Sequence, residues 1–109
     1  VKLELHVEAE AEIEEACDFY DERRPGLGQE LLVEVRRGFD LIREAPRRWP
    51  HWPDTPPLEP PVRRVVLNHF PFAIGYQVLP DRVVLLTVAH TSREPMYWLE
   101  RAGESPNRE

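Results

Sequence analysis

Seven prolines fall within the 16 residues from Pro46 to Pro61, PRRWPHWPDTPPLEPP, and no other feature restricts the chain so sharply. Proline fixes φ and carries no amide hydrogen, so this stretch forms neither a helix nor an inner strand. It is a stiff connector, partly in the polyproline conformation. Regular structure must therefore lie before residue 46 or after residue 61. A connector of this length needs anchors, and Trp49 and Trp52 are the side chains suited to fold it back onto the domain. A proline-rich ligand for an aromatic groove is the functional alternative for the same residues.

Ahead of the prolines the apolar period changes once. Val1, Leu3, Leu5 and Val7 alternate with Lys2, Glu4 and His6, which predicts a half-buried first strand. Ile13, Ala16, Cys17 and Tyr20 then recur at helical spacing, predicting an amphipathic helix from about Ala9 to Arg23 with acids in its first turns. Pro25 and Gly26 stop it. A second helix, from about Gly28 to Glu44, carries Leu32, Val35, Phe39 and Ile42 on one face and ends before Pro46. The RPGLG turn between them is short, so the helices form an antiparallel hairpin with both apolar faces toward one layer. Cys17 lies on that stripe and reads as packing, because a reactive thiol needs an exposed electropositive setting.

Beyond the prolines three strands are expected: Val62 to Leu67, Phe72 to Leu79 and Arg82 to His90, with Pro80 and Asp81 turning the last two into a hairpin. Val83 to Ala89 is near-continuous apolar sequence, which predicts a central strand covered on both faces or nearly so. The expectation is an α+β domain in two layers, a helix hairpin on a mostly antiparallel sheet in the order βααβββ. Residues 1–109 support one core, with 103–109 expected as a disordered tail. No apolar run approaches a membrane span and no secretory h-region opens the chain. The single cysteine excludes an intramolecular disulfide and a Cys-based zinc cluster, so a cytoplasmic protein is expected.

Charge is uneven. Residues 1–45 hold 13 acidic and 6 basic side chains, and residues 46–109 hold 7 and 8. A net charge of −6 argues against a surface that grips nucleic acid everywhere, yet a local cationic patch remains open to the second half. Arg63 and Arg64 are adjacent in a strand, so they point to opposite faces of the sheet. Past the last strand come His90, Arg93, Tyr97 and Trp98, groups able to move protons, hold phosphate or stack on a base. The packing alternative is a C-terminal helix that lays Tyr97 and Trp98 onto the sheet. Neither the scattered histidines (His6, His51, His69, His90) nor the carboxylates fall at metal-ligand spacing, so neither a metal nor a cofactor is expected. Ser92 has no acid and base partners in a recognisable order. Asp18, Asp21 and Glu22 read as a solvated helix face.

Four segments, EIEEACDFYDERRPGLG, VRRVVL, FPFAIGYQV and AHTSREPMYW, resemble the ParE/RelE toxin superfamily of bacterial type II toxin–antitoxin modules, often called plasmid stabilisation proteins. They cover most of Ala9 to Ala102, and only the proline loop is longer than the resemblance leads one to expect. The resemblance implies a small cytoplasmic toxin neutralised by a cognate antitoxin, with homodimer and toxin–antitoxin heterotetramer both open. Its RelE-like branch cuts mRNA on the ribosome without a metal; its ParE-like branch poisons DNA gyrase. The RNA-cleaving branch's basic positions correspond here to Arg64, Val66, Ala73 and Thr91, and only Arg64 is charged; Tyr97 matches the branch's tyrosine. Three missing cations favour the ParE-like reading, each such group being worth on the order of 2 to 4 kcal/mol in the transition state. On that reading Arg63, Arg64, Arg93, Tyr97 and Trp98 contact the target. Under the nuclease alternative Arg64, His90, Arg93 and Tyr97 are catalytic. An inactive relative that serves as an interaction module is the third option.

Overall fold

A computed structural model describes residues 1–94 and 96–102; the expected tail at 103–109 lies outside the described residues. Strand β1 (Leu3–Leu5) is followed by helices α1 (Val7–Arg23) and α2 (Leu27–Glu44), then by strands β2 (Val62–Val66), β3 (Phe72–Val78) and β4 (Val83–His90). A short 3-10 turn at Leu99–Arg101 closes the described chain, in the place where the packing alternative put a C-terminal helix. The sheet order is β1-β4-β3-β2, with β1 parallel to β4 and the other pairs antiparallel. The α+β class, the βααβββ order and the central place of β4 agree with the sequence. All eight residues of β4 except His90 are buried.

β1 is shorter than the alternation suggests. Its limit is His6, whose N–H donates to Leu85 O at 3.0 Å while its Nδ1 accepts from Glu8 N–H at 3.1 Å. A side chain that caps a helix ends the strand beside it, so α1 begins at Val7. Between the helices, Gly26 takes φ +92°, a left-handed conformation open to glycine. At Gly28 a Cβ would fall 2.4 Å from Cys17 O, so this glycine sets how closely the helices approach. Asp21 Oδ1 accepts from Gly26 N–H at 3.2 Å and Gly28 N–H at 2.8 Å. It is thus a cap for the first turn of α2, where a solvated acid was expected.

The sheet is covered on both faces, as the apolar character of β4 suggests, and the helix hairpin supplies one of the two covers. Ile13, Leu31, Val35 and Ile42 from the helices meet Val65, Phe72, Ile74, Tyr76, Leu85 and Val88 on one face. Each such side chain contributes about 1.5–3 kcal/mol by leaving water. On the other face Val62, Val84, Leu86, Ala89 and Trp98 form a second core, with Trp52, Leu58, Met96, Tyr97 and Leu99 packed against it. Among the described residues the proline loop and the C-terminal turn supply that cover, and no α-helix does. The loop straddles the β2 edge: Trp49 packs on the helix side and Trp52 on the other. Its backbone is pinned by Trp52 N–H to Val62 O at 2.7 Å and Arg64 N–H to Pro50 O at 2.9 Å. Prolines are tolerated there because the position is an edge.

Candidate functional site

Arg64 leaves β2 on the face away from the helices, and β3 and β4 place Ala73 and His90 beside it. The chain beyond β4 then brings Thr91, Arg93 and Tyr97 around the same space. Together with Trp52 and Asp54 of the loop, Glu94 and Met96, these residues line a cleft of about 230 Å³. Arg64, His90, Arg93 and Tyr97, scattered over 34 positions of sequence, therefore converge. A second cleft of about 310 Å³ opens on the helix side, walled by Ala16, Phe19, Tyr20, Phe72 and Val88, and shares His90, Arg93 and Tyr97 with the first. Phe19 is 47% exposed at its mouth.

Both cleft arginines rest on aromatic rings. The Arg93 guanidinium lies 3.8 Å from the Tyr97 ring centroid and that of Arg64 lies 5.4 Å from Trp52. Such stacking holds a cation in place while leaving its N–H groups to a partner. His90 is tied on one side: its Nδ1 accepts from Ser92 N–H at 3.1 Å and lies 2.8 Å from Ser92 Oγ. The hydrogen bonding assigns the proton of the neutral ring to Nε2, so the ring presents a donor.

Tyr97 is committed elsewhere. Its phenol donates to Glu12 Oε2 of α1, and burial followed by that bond pushes its pKa above the ordinary tyrosine value. Glu12 Oε1 accepts from Thr87 Oγ1 at 2.8 Å and from Val88 N–H at 3.1 Å, and pairs with Arg101 at 3.1 Å. Arg101 in turn donates to Leu86 O at 3.1 Å. β1 stops at Leu5, opposite Leu85, so the edge of β4 beyond it has no strand partner among the described residues. Glu12 and Arg101 supply the missing acceptor and donor.

Two expected contact residues are engaged within the fold. Arg63 points to the helix side and donates to Trp49 O at 2.7 Å and Arg47 O at 3.1 Å, so it fastens the proline loop. Trp98 is 0% exposed, with its ring 4.7 Å from that of Trp52, and has no surface to offer a target. The packing alternative describes it. Glu12 was missed because one acid among Glu10, Glu12, Glu14 and Glu15 carries no local sign of its partners. Among the described residues no group of three or more His, Cys, Asp or Glu is placed to hold a metal ion, and no helix is long and apolar enough to cross a membrane.

Residues 3–95 match the family described as the ParE toxin of type II toxin–antitoxin systems, parDE. The chain belongs to the ParE toxin family. A chain of the chromosomal ParDE TA system from P. aeruginosa has the same fold, with a TM-score of 0.72 over 84% of this chain and 97% of that one. The two are 16% identical, a level at which the likeness is one of fold. No curated protein matches the sequence. In this ParE-like toxin, Val66 is 51% exposed, Ala73 is buried and Thr91 is exposed, so none of the three adds a cation to Arg64 and Arg93.

Proposed function

We propose that this ParE-like toxin arrests growth by binding DNA gyrase through the cleft at the end of the sheet, without chemistry of its own, and that a cognate antitoxin neutralises it in the cytoplasm. The bond from Tyr97 to Glu12 carries this reading. A phenol that already donates to a carboxylate, with its pKa raised, is a poor proton acceptor at neutral pH. What remains accessible is two ring-stacked arginines, Arg64 and Arg93, and the His90 donor, a set suited to holding a protein surface. The antitoxin follows from the family and from the ParDE system that shares the fold.

Purified protein should inhibit gyrase supercoiling, and an Arg64→Ala, Arg93→Ala double variant should lose that inhibition at least tenfold while keeping its thermal midpoint. Unchanged supercoiling at large excess of the wild-type protein would sink the reading. The convergence of Arg64, His90, Arg93 and Tyr97 in one cleft favours RelE-like mRNA cleavage as the second reading. Mapping mRNA ends after induction separates the two, since a gyrase poison leaves transcripts intact.

A further inference from the structure

We infer that Glu12 is a positioning residue for the cleft at the end of the sheet: acting through the Tyr97 ring, it sets where Arg93 presents its guanidinium to the target. The inference rests on the target reading above and adds a residue that lies behind the cleft. Arg64, His90, Arg93 and Tyr97 line the cleft of about 230 Å³, whereas Glu12 lines the helix-side one. Tyr97 lines both. It is the part through which an acid on α1 reaches the other side.

Arg93 needs such support. Its side chain is exposed, and among the described residues no hydrogen bond or ion pair holds its guanidinium. What holds it is the Tyr97 ring, with the centroid 3.8 Å away. A stacked guanidinium keeps its N–H groups free for a partner, but its place is only as fixed as the ring beneath it. Ordering a long arginine on binding carries an entropic cost, and a ring that already holds it removes part of that cost.

Glu12 fixes the ring. Its Oε2 accepts from the Tyr97 phenol, so the ring cannot swing away from α1 without losing that bond. Its Oε1 accepts from Thr87 Oγ1 at 2.8 Å and from Val88 N–H at 3.1 Å, and both donors belong to β4. The central strand therefore sets the place of the carboxylate itself. The Arg101 guanidinium also approaches the Tyr97 ring, 5.4 Å from its centroid, and pairs with Glu12 at 3.1 Å. Two cations thus share one ring, and the pairing of Arg101 to Glu12 leaves the closer approach to Arg93.

The test combines gyrase supercoiling with NMR of the Arg93 side chain, whose protons the Tyr97 ring current shifts upfield. It uses Glu12→Gln, Glu12→Ala, Tyr97→Phe and the Glu12→Ala, Tyr97→Phe double variant, each at a temperature where it is fully folded. Glu12→Ala should remove at least half of the upfield shift and weaken inhibition at least fivefold. Glu12→Gln should stay within twofold of wild type, because its carbonyl can accept from Val88 and Thr87 while its amide donates to the phenol oxygen. Tyr97→Phe should weaken inhibition at least threefold, and the double variant should lie within twofold of Glu12→Ala, since residues acting through one another are not additive. Losses that multiply in the double variant, or Arg93 resonances that keep their wild-type positions in Glu12→Ala, would overturn the inference. Should Glu12→Ala fail to fold, Tyr97→Phe decides, because it leaves the other bonds of Glu12 in place: wild-type Arg93 shifts and wild-type inhibition there would overturn it as well. Wild-type protein that leaves supercoiling unchanged would instead remove the target reading, and the Arg93 shifts would still decide whether Glu12 sets its place.

Discussion

The two faces of the sheet are covered by opposite means. On one, two long helices present apolar residues at regular spacing, and the core they make is visible as a pattern. On the other, a proline-rich loop and a 3-10 turn, neither periodic, bury Trp98 completely against Trp52. The difference shows that a face without secondary structure over it can still be a core, provided a few large aromatic side chains supply the area that a helix stripe would. The irregular cover also leaves a cleft over the end of the sheet, where Arg64, His90 and Arg93 meet.

Replacing Trp98 by Ala tests this most severely. A fully buried Trp should cost about 3–5 kcal/mol in chemical denaturation, as much as any residue of the helix side. A loss under about 1 kcal/mol would show that the second core is only a flap. Glu12→Ala comes next, at roughly 2–3 kcal/mol, because Val88 N–H and Arg101 lose their partner in a half-buried setting. Its second readout is Tyr97, whose ultraviolet titration should move down once the carboxylate is gone.

On the helix side, Gly28→Ala should cost about 1–3 kcal/mol, since the added Cβ meets the rigid Cys17 carbonyl at 2.4 Å. Gly38→Ala should cost less, because the atom in its way is the flexible end of Ile74. Equal losses would mean that the hairpin can slide. The gentlest probe is alkaline pH. Burial pushes the Tyr76 pKa up to about 12, with Arg63 opposing, while its hydroxyl donates to Pro46 O at 2.7 Å. A raised acid pKa in the folded state means that the unfolded chain loses its proton first. Stability should therefore be full below about pH 10 and fall as pH rises toward 12, and Tyr76→Phe should flatten that decline.

Legibility followed periodicity. Ile13, Val35 and Ile42 could be assigned to a core because their neighbours three and four positions away repeat the pattern. Trp49 and Trp52 could be assigned as anchors only in general terms, and nothing local put them on opposite faces. Arg63 and Arg64 show the limit: alternation says that they diverge, but which one meets the loop carbonyls depends on where the loop crosses the edge. Asp21 and Glu12 both looked like surface acids, since a carboxylate's partners across 7 or 76 positions leave no trace beside it.

By itself the sequence determined the helix hairpin, the central β4, the breaking power of the proline loop and the membership carried by its four motifs. These follow from short-range rules of sterics and hydrophobic spacing. The tertiary structure alone decided that Tyr97 serves Glu12, that Trp98 is core, and that Arg64, His90 and Arg93 share a cleft. Those outcomes depend on which distant groups must satisfy a strand edge left open when β1 ends at Leu5.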